Sequence, residues 1–431
     1  MIYDVREFVR ISRYLAKWTL LAGFLGLLAG FASAVFLVGL DWVTQLRNAH
    51  PWLLYLLPLA GLAMGLFYWL LAPDLERGSN LLLDEIHEPN QGVPLKLAPT
   101  ILVATWVSHL FGASVGREGT AIQMGGSLAS GIARVLRLGH HDLRVLLMAG
   151  IAAGFGSVFG TPLAGMVFGM EVLALGRLRY DGLIPCLVGS CVGDAACRWL
   201  THQWHYQHSH FAVTTVPPLD AILVGKVLIA SIAFAMISIA FTEMQHGVKR
   251  IFERWVGWPP LRYVIGGLGV IGFASLFGDD YLGLSLPLLR RSFEPAGVPS
   301  LAFLGKLVFT AWTLGAGFKG GEVTPLFIMG ATAGYTLGGI LGVPPDYLAA
   351  LGFVAVFAAA ANTPIACTLM GLELFLTSVP IEHAPVFALA CISAYFWSGH
   401  RGIYVAQRVH VAKGDSAPLE SETHLGSMNR R

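Results

Sequence analysis

Apolar residues fill long runs of this chain, and polar residues collect in short stretches between them. The runs cover about residues 19–42, 52–72, 99–111, 146–175, 182–200, 218–242, 262–277, 300–317, 323–342, 347–378 and 384–398. At about 20 residues per full crossing, this pattern predicts roughly a dozen membrane-embedded helical segments. Residues 5–17 mix apolar positions with Arg6, Arg10, Arg13 and Lys17 and predict an amphipathic interfacial helix leading into the membrane. Those cations favour a cytoplasmic N-terminus, and the basic loop Arg134 to Arg144 belongs on the same side. Residues 73–98 and 278–299 read as polar loops, the first holding a short segment that begins at Gly78. Glu243 to Arg254 reads as a charged connector. From about residue 408 the tail is polar and is expected to be disordered beyond Lys413.

Composition narrows this to a polytopic membrane protein. The 431 residues are 55% hydrophobic and 13% charged, whereas a soluble domain carries about 25% charged residues. The 51 glycines and 22 prolines exceed what plain spanning helices need. They predict broken helices, tolerated where protein or a cavity covers the freed backbone. A net charge of +2 leaves no nucleic-acid footprint. The odd set of five cysteines (Cys186, Cys191, Cys197, Cys367 and Cys391) reads as small core residues, not a disulfide framework. The basic start lacks a small-residue cleavage site, so no removable signal peptide is expected.

The stretch Gly112 to Gly126, reading GASVGREGTAIQMGG, places Arg117 and Glu118 among glycines inside apolar sequence. An ionisable pair at membrane depth is costly and reads as functional. The glycines permit close backbone approach, and the run after Thr120 looks helical. A helix N-terminus offers amides without intrahelical partners and so suits an anion. Glu118 adds a protonatable carboxylate, which points to anion movement coupled to, or gated by, protons.

An internal repeat extends that picture. TPLAGMVFGMEV at 161–172 returns as TPIACTLMGLEL at 363–374, which aligns Thr161 with Thr363 and Glu171 with Glu373. Gly150 and Phe155 match Gly352 and Phe357 at the same offset. Gly116 matches Gly321 at an offset three residues longer. The second half thus has its own glycine-rich helix start, Gly317 to Pro325, and two broken helices sent to one place mark a midplane transport site. Glu171 and Glu373 are expected to pair or pack, and Phe155 and Phe357 to pack. The residues His202, His205, His208 and His210 have no interleaved cysteine or carboxylate, so a solvated loop is expected, with no metal or cofactor. No His-Glu-x-x-His occurs, and Ser108-His109 are adjacent and cannot face each other on a helix. Both argue against an intramembrane hydrolase or another enzyme.

Gly116-Arg-Glu-Gly-Thr120, Gly320-Gly-Glu-Val-Thr-Pro325, the duplicated Thr-Pro segments and Gly402-Ile-Tyr404 together resemble CLC anion channels and transporters over about residues 15–410. Thr120, in place of the chloride members' proline, and Glu322-Val323-Thr324 resemble the bacterial fluoride/proton antiporter branch. The resemblance implies an all-α polytopic membrane fold, an inverted repeat of two halves with broken and re-entrant helices. It implies a surface helix at 1–17, transmembrane halves at 18–213 and 214–410, and a cytoplasmic tail at 411–431. It also implies a homodimer in the bacterial inner membrane that exchanges fluoride for protons. The rival is a chloride or other anion exchanger, or a passive channel, on the same scaffold.

By the same resemblance Glu118 is the gate, and Glu322 handles protons or hydrogen-bonds the passing ion. From the sequence Glu322 could equally cap its helix through the dipole. The anion site is expected to draw on Ser79, Asn80, Gly116, Arg117, Gly119, Thr120, Gly321, Val323, Thr324 and Tyr404. Within that set Arg117 reads as a partner or field-setting cation and Thr120 as a cap. Thr324 could donate to the ion or to a carbonyl. The serine of the chloride motif survives as Ser79 without its glycine and proline, which leaves open whether Ser79 or Asn80 faces the ion. Chloride exchangers carry a second proton-relaying glutamate where this chain has Val172, so its proton route differs.

Overall fold

The computed structural model describes residues 5–206, 211–415 and 418–428. Sixteen helices form the membrane body, in the order α1 (Val5–Ala49), α2 (Leu57–Leu71), α3 (Ser79–His87), α4 (Leu97–Leu110), α5 (Glu118–Val135), α6 (His140–Phe159), α7 (Pro162–Glu171) and α8 (Leu183–Gln203), then α9 (Ala221–Trp255), α10 (Pro259–Phe277), α11 (Leu286–Arg291), α12 (Ala302–Gly315), α13 (Val323–Leu341), α14 (Pro345–Ala361), α15 (Pro364–Phe375) and α16 (Ala384–Trp397). Among the described residues seven helical segments are long and apolar enough to cross a membrane, and five shorter apolar helices accompany them. The expected all-α, broken-helix architecture is what this chain adopts.

Two boundaries differ from expectation for one reason. Residues 5–17 are not a separate surface helix but the first turns of the 45-residue α1. The Glu243–Arg254 connector is likewise the end of the 35-residue α9. Charge does not end a helix. Proline does, and the next one after α9 is Pro259.

The breaks fall where the sequence carries breakers. Gly160 takes the left-handed conformation at the end of α6 (φ 72°), and Pro162 opens α7. In the second half Asn362 takes the left-handed role (φ 57°), and Pro364 opens α15. α7 and α15 pack together and exchange caps. Glu171 accepts from the Ile365 and Ala366 amides at 3.0 and 2.8 Å. Glu373 accepts from the Leu163 and Ala164 amides at 2.9 and 2.8 Å. The repeat-matched acids therefore do pair, each with the other half's helix start. Between the halves, Phe155 stacks on Phe168 at 4.2 Å and lies 6.1 Å from Phe357.

The tail corrects another expectation. β1 (Ala174–Leu175) pairs in parallel with β2 (Arg408–Val411), which pairs antiparallel with β3 (Pro418–His424) before α17 (Leu425–Met428). After the turn at Gly414, the described residues 418–428 are thus strand and helix. The Leu425 and Gly426 amides donate to the Gln407 and Val405 carbonyls at 2.8 and 3.2 Å, which pins the chain just after Tyr404. Lys17 reaches Asp142 at 2.6 Å, Arg144 donates to the Ile86 carbonyl at 2.8 Å, and Arg408 N donates to the Leu173 carbonyl at 3.2 Å. The basic N-terminal turns, the basic loop and the small sheet thereby form one connected face.

Candidate functional site

The two glycine-rich helix starts meet directly. Gly116 and Gly321 form an isolated antiparallel bridge, their amides and carbonyls exchanging bonds of 2.6 and 2.8 Å. Side chains would prevent it. A Cβ on Gly321 would stand 2.7 Å from the Gly119 nitrogen, and one on Gly116 would stand 2.8 Å from the Gly321 oxygen. The bridge brings the N-termini of α5 and α13 together where Gly116 to Thr120, Gly321, Val323 and Thr324 are buried.

Glu118, fully buried, lies across that junction. The Thr324 amide, in the first turn of α13, donates to Glu118 Oε2 at 2.9 Å. The Thr324 hydroxyl stands 2.5 Å from both carboxylate oxygens. Arg117 adds its amide to Oε2 at 3.2 Å and its Nε to Oε1 at 3.3 Å. A carboxylate from one half thus occupies the positive helix end of the other, the arrangement by which a helix N-terminus binds an anion. A void of about 30 Å³ adjoins it, lined by Arg117, Glu118, Thr324, Phe159, Phe327 and Phe353. Phe327 and Phe353 stack there at 4.1 Å.

Cavities approach from two sides. One, of about 220 Å³, is lined by Ser79, Asn80, Gln123, Gln245, Glu322 and Tyr404 among others. The Tyr404 hydroxyl is buried with no hydrogen-bond partner among the described residues. The other, of about 190 Å³, is lined by Arg117, Tyr206 and His109 among others. Glu118 and Thr324 line neither cavity, but their chain neighbours do, Glu322 the first and Arg117 the second.

Of the other predicted site residues, Thr120 is placed otherwise and the rest lie at the junction or the Tyr404 cavity. Thr120 neither caps α5 nor faces the junction. Its hydroxyl pairs with Thr105 of α4 at 2.7 Å, and Thr105 in turn donates to the Ile101 carbonyl. Asn80 accepts from the Ala406 amide at 3.1 Å, so its carboxamide oxygen holds the Tyr404 segment. Ser79 accepts from Gln123 at 3.3 Å. Glu322 sits at the N-cap position of α13 with no side-chain cap bond, and Gln245 donates to its Oε1 at 3.3 Å. Gly119 lies against the bridge, where a Cβ would stand 3.0 Å from the Gly321 Cα. Val323 is the first residue of α13 and is buried. His208 and His210 lie outside the described residues, and no His, Cys, Asp or Glu cluster fit for a metal occurs among the described ones.

Sequence reasoning missed four residues. Tyr206 accepts from Arg117 Nη1 at 3.1 Å across 89 residues of chain, and Gln245 reaches Glu322 from α9. No local signal announces either. Lys306 and His109, by contrast, are ionisable residues inside apolar runs, which was signal enough.

Two half-length sets of broken helices, converging on a buried acid between two cavities, define a membrane anion transport protein. The chain belongs to the voltage gated chloride channel family, whose model matches residues 60–399. A "Chloride/fluoride channel protein" of Pseudomonas syringae pv. tomato is 48% identical over 424 residues, covering 97% of this chain and 92% of the relative. The crystal structure of a CLC-type fluoride/proton antiporter superposes with a TM-score of 0.87 at 33% identity, covering 92% of this chain and 98% of that one. A slow cyanobacterial Cl−/H+ antiporter superposes with a TM-score of 0.74 at 19% identity, covering 88% and 94%, a likeness of fold alone.

Proposed function

We propose that the protein is a fluoride/proton antiporter that exports fluoride from the cytoplasm on the inward proton gradient, with Glu118 as its gate. One observation carries this reading: the Glu118 carboxylate rests on the Thr324 amide and hydroxyl at the start of α13. Ionised, it occupies the anion's place. Protonated, it loses its attraction for the helix end, leaves, and takes a proton with it. The ion then inherits the same donors.

The connected basic face supports assigning that side to the cytoplasm, and Tyr404 lies four residues before β2 of that face. There the unpartnered Tyr404 hydroxyl and Glu322 meet the entering ion. Fluoride suits this passage because it is small and accepts hydrogen bonds strongly, and a protonated Glu322 could donate to it. The similarity to a fluoride/proton antiporter over 92% of this chain supports the choice of ion. The Gly116–Gly321 bridge supports two inverted halves divided near residue 214. Leu163, Ile365 and Leu376 on α7, α15 and the turn after it are exposed and apolar, which supports a homodimer through these helices.

The test is ion efflux from liposomes of purified protein, comparing fluoride with chloride, with and without a pH gradient. Fluoride should drive protons uphill, and Glu118→Gln should abolish that movement. Equal handling of chloride refutes the fluoride assignment, and flux without proton movement refutes exchange in favour of a channel.

A further inference from the structure

Residues 211–220 run between the two halves and form neither helix nor strand, yet they are fixed in place. One oxygen of the buried Asp346, in the first turn of α14, accepts from the Thr214 amide and hydroxyl, each at 2.6 Å, and from the Thr215 amide at 3.2 Å. Its other oxygen accepts from the Tyr347 amide at 2.9 Å. The Val213 amide donates to Ser378 Oγ at 3.1 Å. In an extended stretch residues two apart share a side, so anchoring the buried Val213 also turns Phe211 inward. The Phe211 ring stacks on Phe293 at 5.3 Å and lies 6.3 Å from Phe353, which in turn stacks on Phe327 of α13.

Phe211 reaches the gate. It lines the void of about 30 Å³ beside Glu118, where every lining residue other than Arg117, Glu118 and Thr324 is a phenylalanine or a leucine. Leu286 and Arg117 line both this void and the cavity of about 190 Å³, so the void lies between Glu118 and the Tyr206 side. A water needs about two to four polar partners to settle in such a space. The three polar residues there are already bonded together, Thr324 and Arg117 both to Glu118. The chain between α8 and α9 thus meets the gate twice, Tyr206 through its bond to Arg117 and Phe211 through this void.

We propose that Phe211 is a positioning residue for the gate: its ring keeps the Tyr206 side of the Glu118 junction dry, so that the acid leaves α13 only when protonated. An ionised carboxylate with no water beside it has only the α13 donors and Arg117 to rest on, whereas a neutral one can leave them at small cost. With water admitted to the void the ionised form could leave as well, and fluoride would pass without its proton. The inference rests on the reading of Glu118 as the gate. Phe211 binds neither ion nor proton and sets how tightly the two are coupled.

Access to the junction can be read directly by thiol labelling. In full-length protein carrying Cys191→Ser, which removes the one cysteine that is not buried, Glu118→Cys should react slowly with hydroxyethyl methanethiosulfonate, a neutral water-soluble reagent. Adding Phe211→Ala should speed that reaction about tenfold, equivalent to about 1.4 kcal/mol of easier access. Adding Phe211→Leu, which stays apolar, should not. Coupling is read from the reversal potential of protein in liposomes under opposed fluoride and proton gradients. Phe211→Ala should move fewer protons per fluoride than wild type, and Phe211→Leu the same number. An unchanged labelling rate or an unchanged ratio in Phe211→Ala overturns the proposal, and so does a Phe211→Leu protein that behaves like Phe211→Ala. Should Phe211→Ala fail to fold, Phe211→Gln, which brings an amide to the void, is held to the same outcomes. A wild type that moves no protons refutes the antiporter reading, while the labelling rates still decide whether Phe211 seals the junction.

Discussion

Replacing Glu171 with alanine removes the cap that one half places on the other, and its cost can be worked from the geometry. The carboxylate is 7% exposed and accepts from two amides at 2.8 and 3.0 Å. Those amides open α15, so no intrahelical carbonyl can replace the lost acceptor. Each buried donor left unsatisfied costs about 1–3 kcal/mol, so two should destabilise the fold by about 4 kcal/mol. Glu171→Gln keeps one acceptor oxygen but turns an NH₂ toward the second amide, so about half of that loss, about 2 kcal/mol, is expected. Glu373 makes the matching pair of bonds but is more exposed, so water can replace part of what is removed. Glu373→Ala should cost about 1–2 kcal/mol. The assay is reversible unfolding in mixed micelles, followed by tryptophan fluorescence across the series. The expected order of loss is Glu171→Ala, then Glu171→Gln, with Glu373→Ala well below Glu171→Ala. A Glu171→Ala protein as stable as wild type, or a larger effect at Glu373, refutes the reasoning.

Gly321→Ala should cost about 3 kcal/mol and stop transport, because its Cβ would meet the Gly119 backbone nitrogen at 2.7 Å and backbone cannot yield; efflux and thermal unfolding both check this. Thr324→Val removes the hydroxyl 2.5 Å from both Glu118 oxygens, a loss of about 2 kcal/mol that should slow coupled flux about 30-fold. Thr324→Ser should restore it, and unchanged flux in Thr324→Val would show that the hydroxyl is no donor. Lys306→Met leaves the Tyr281 and Gly283 carbonyls without their ammonium donor and should destabilise by about 3 kcal/mol in the same unfolding assay.

Much of the site was legible because its constraints are local. Glycines at matched offsets can be read from the sequence, and so can an acid inside apolar sequence. Side-chain direction was harder, and it turned on one helix boundary. With α5 beginning at Glu118, Thr120 lies two residues on, about 200° round the helix, and must face away from where Glu118 points. Starting the helix after Thr120 hid that, so Thr120 was read as a cap when it bonds Thr105. Asn80 and Ser79 were harder to read for a different reason. Their sequence positions are right for the cavity, but which donor each meets depends on Ala406 and Gln123, far along the chain. The tail strands were invisible for a related reason. β1 is two residues long, and polar sequence becomes strand only where an edge is offered to it.

The two halves are symmetric where they build and asymmetric where they act. Glu171 and Glu373 are matched residues making matched bonds, and Gly116 and Gly321 are matched residues bonded to each other. Carry the offset that joins the two glycines one step further, and Arg117 falls on Glu322 and Glu118 on Val323. The acid that lies on the opposite helix end therefore has no counterpart. α13 receives a carboxylate from α5, while Val323 has none to return. Glu322, one residue earlier, turns to Gln245 and the Tyr404 cavity instead. Two equal swinging acids would compete for one junction. In the proposed cycle a single acid on one helix and a second acid displaced to one cavity would give the path a direction, a donor set at its centre and a proton site at one end.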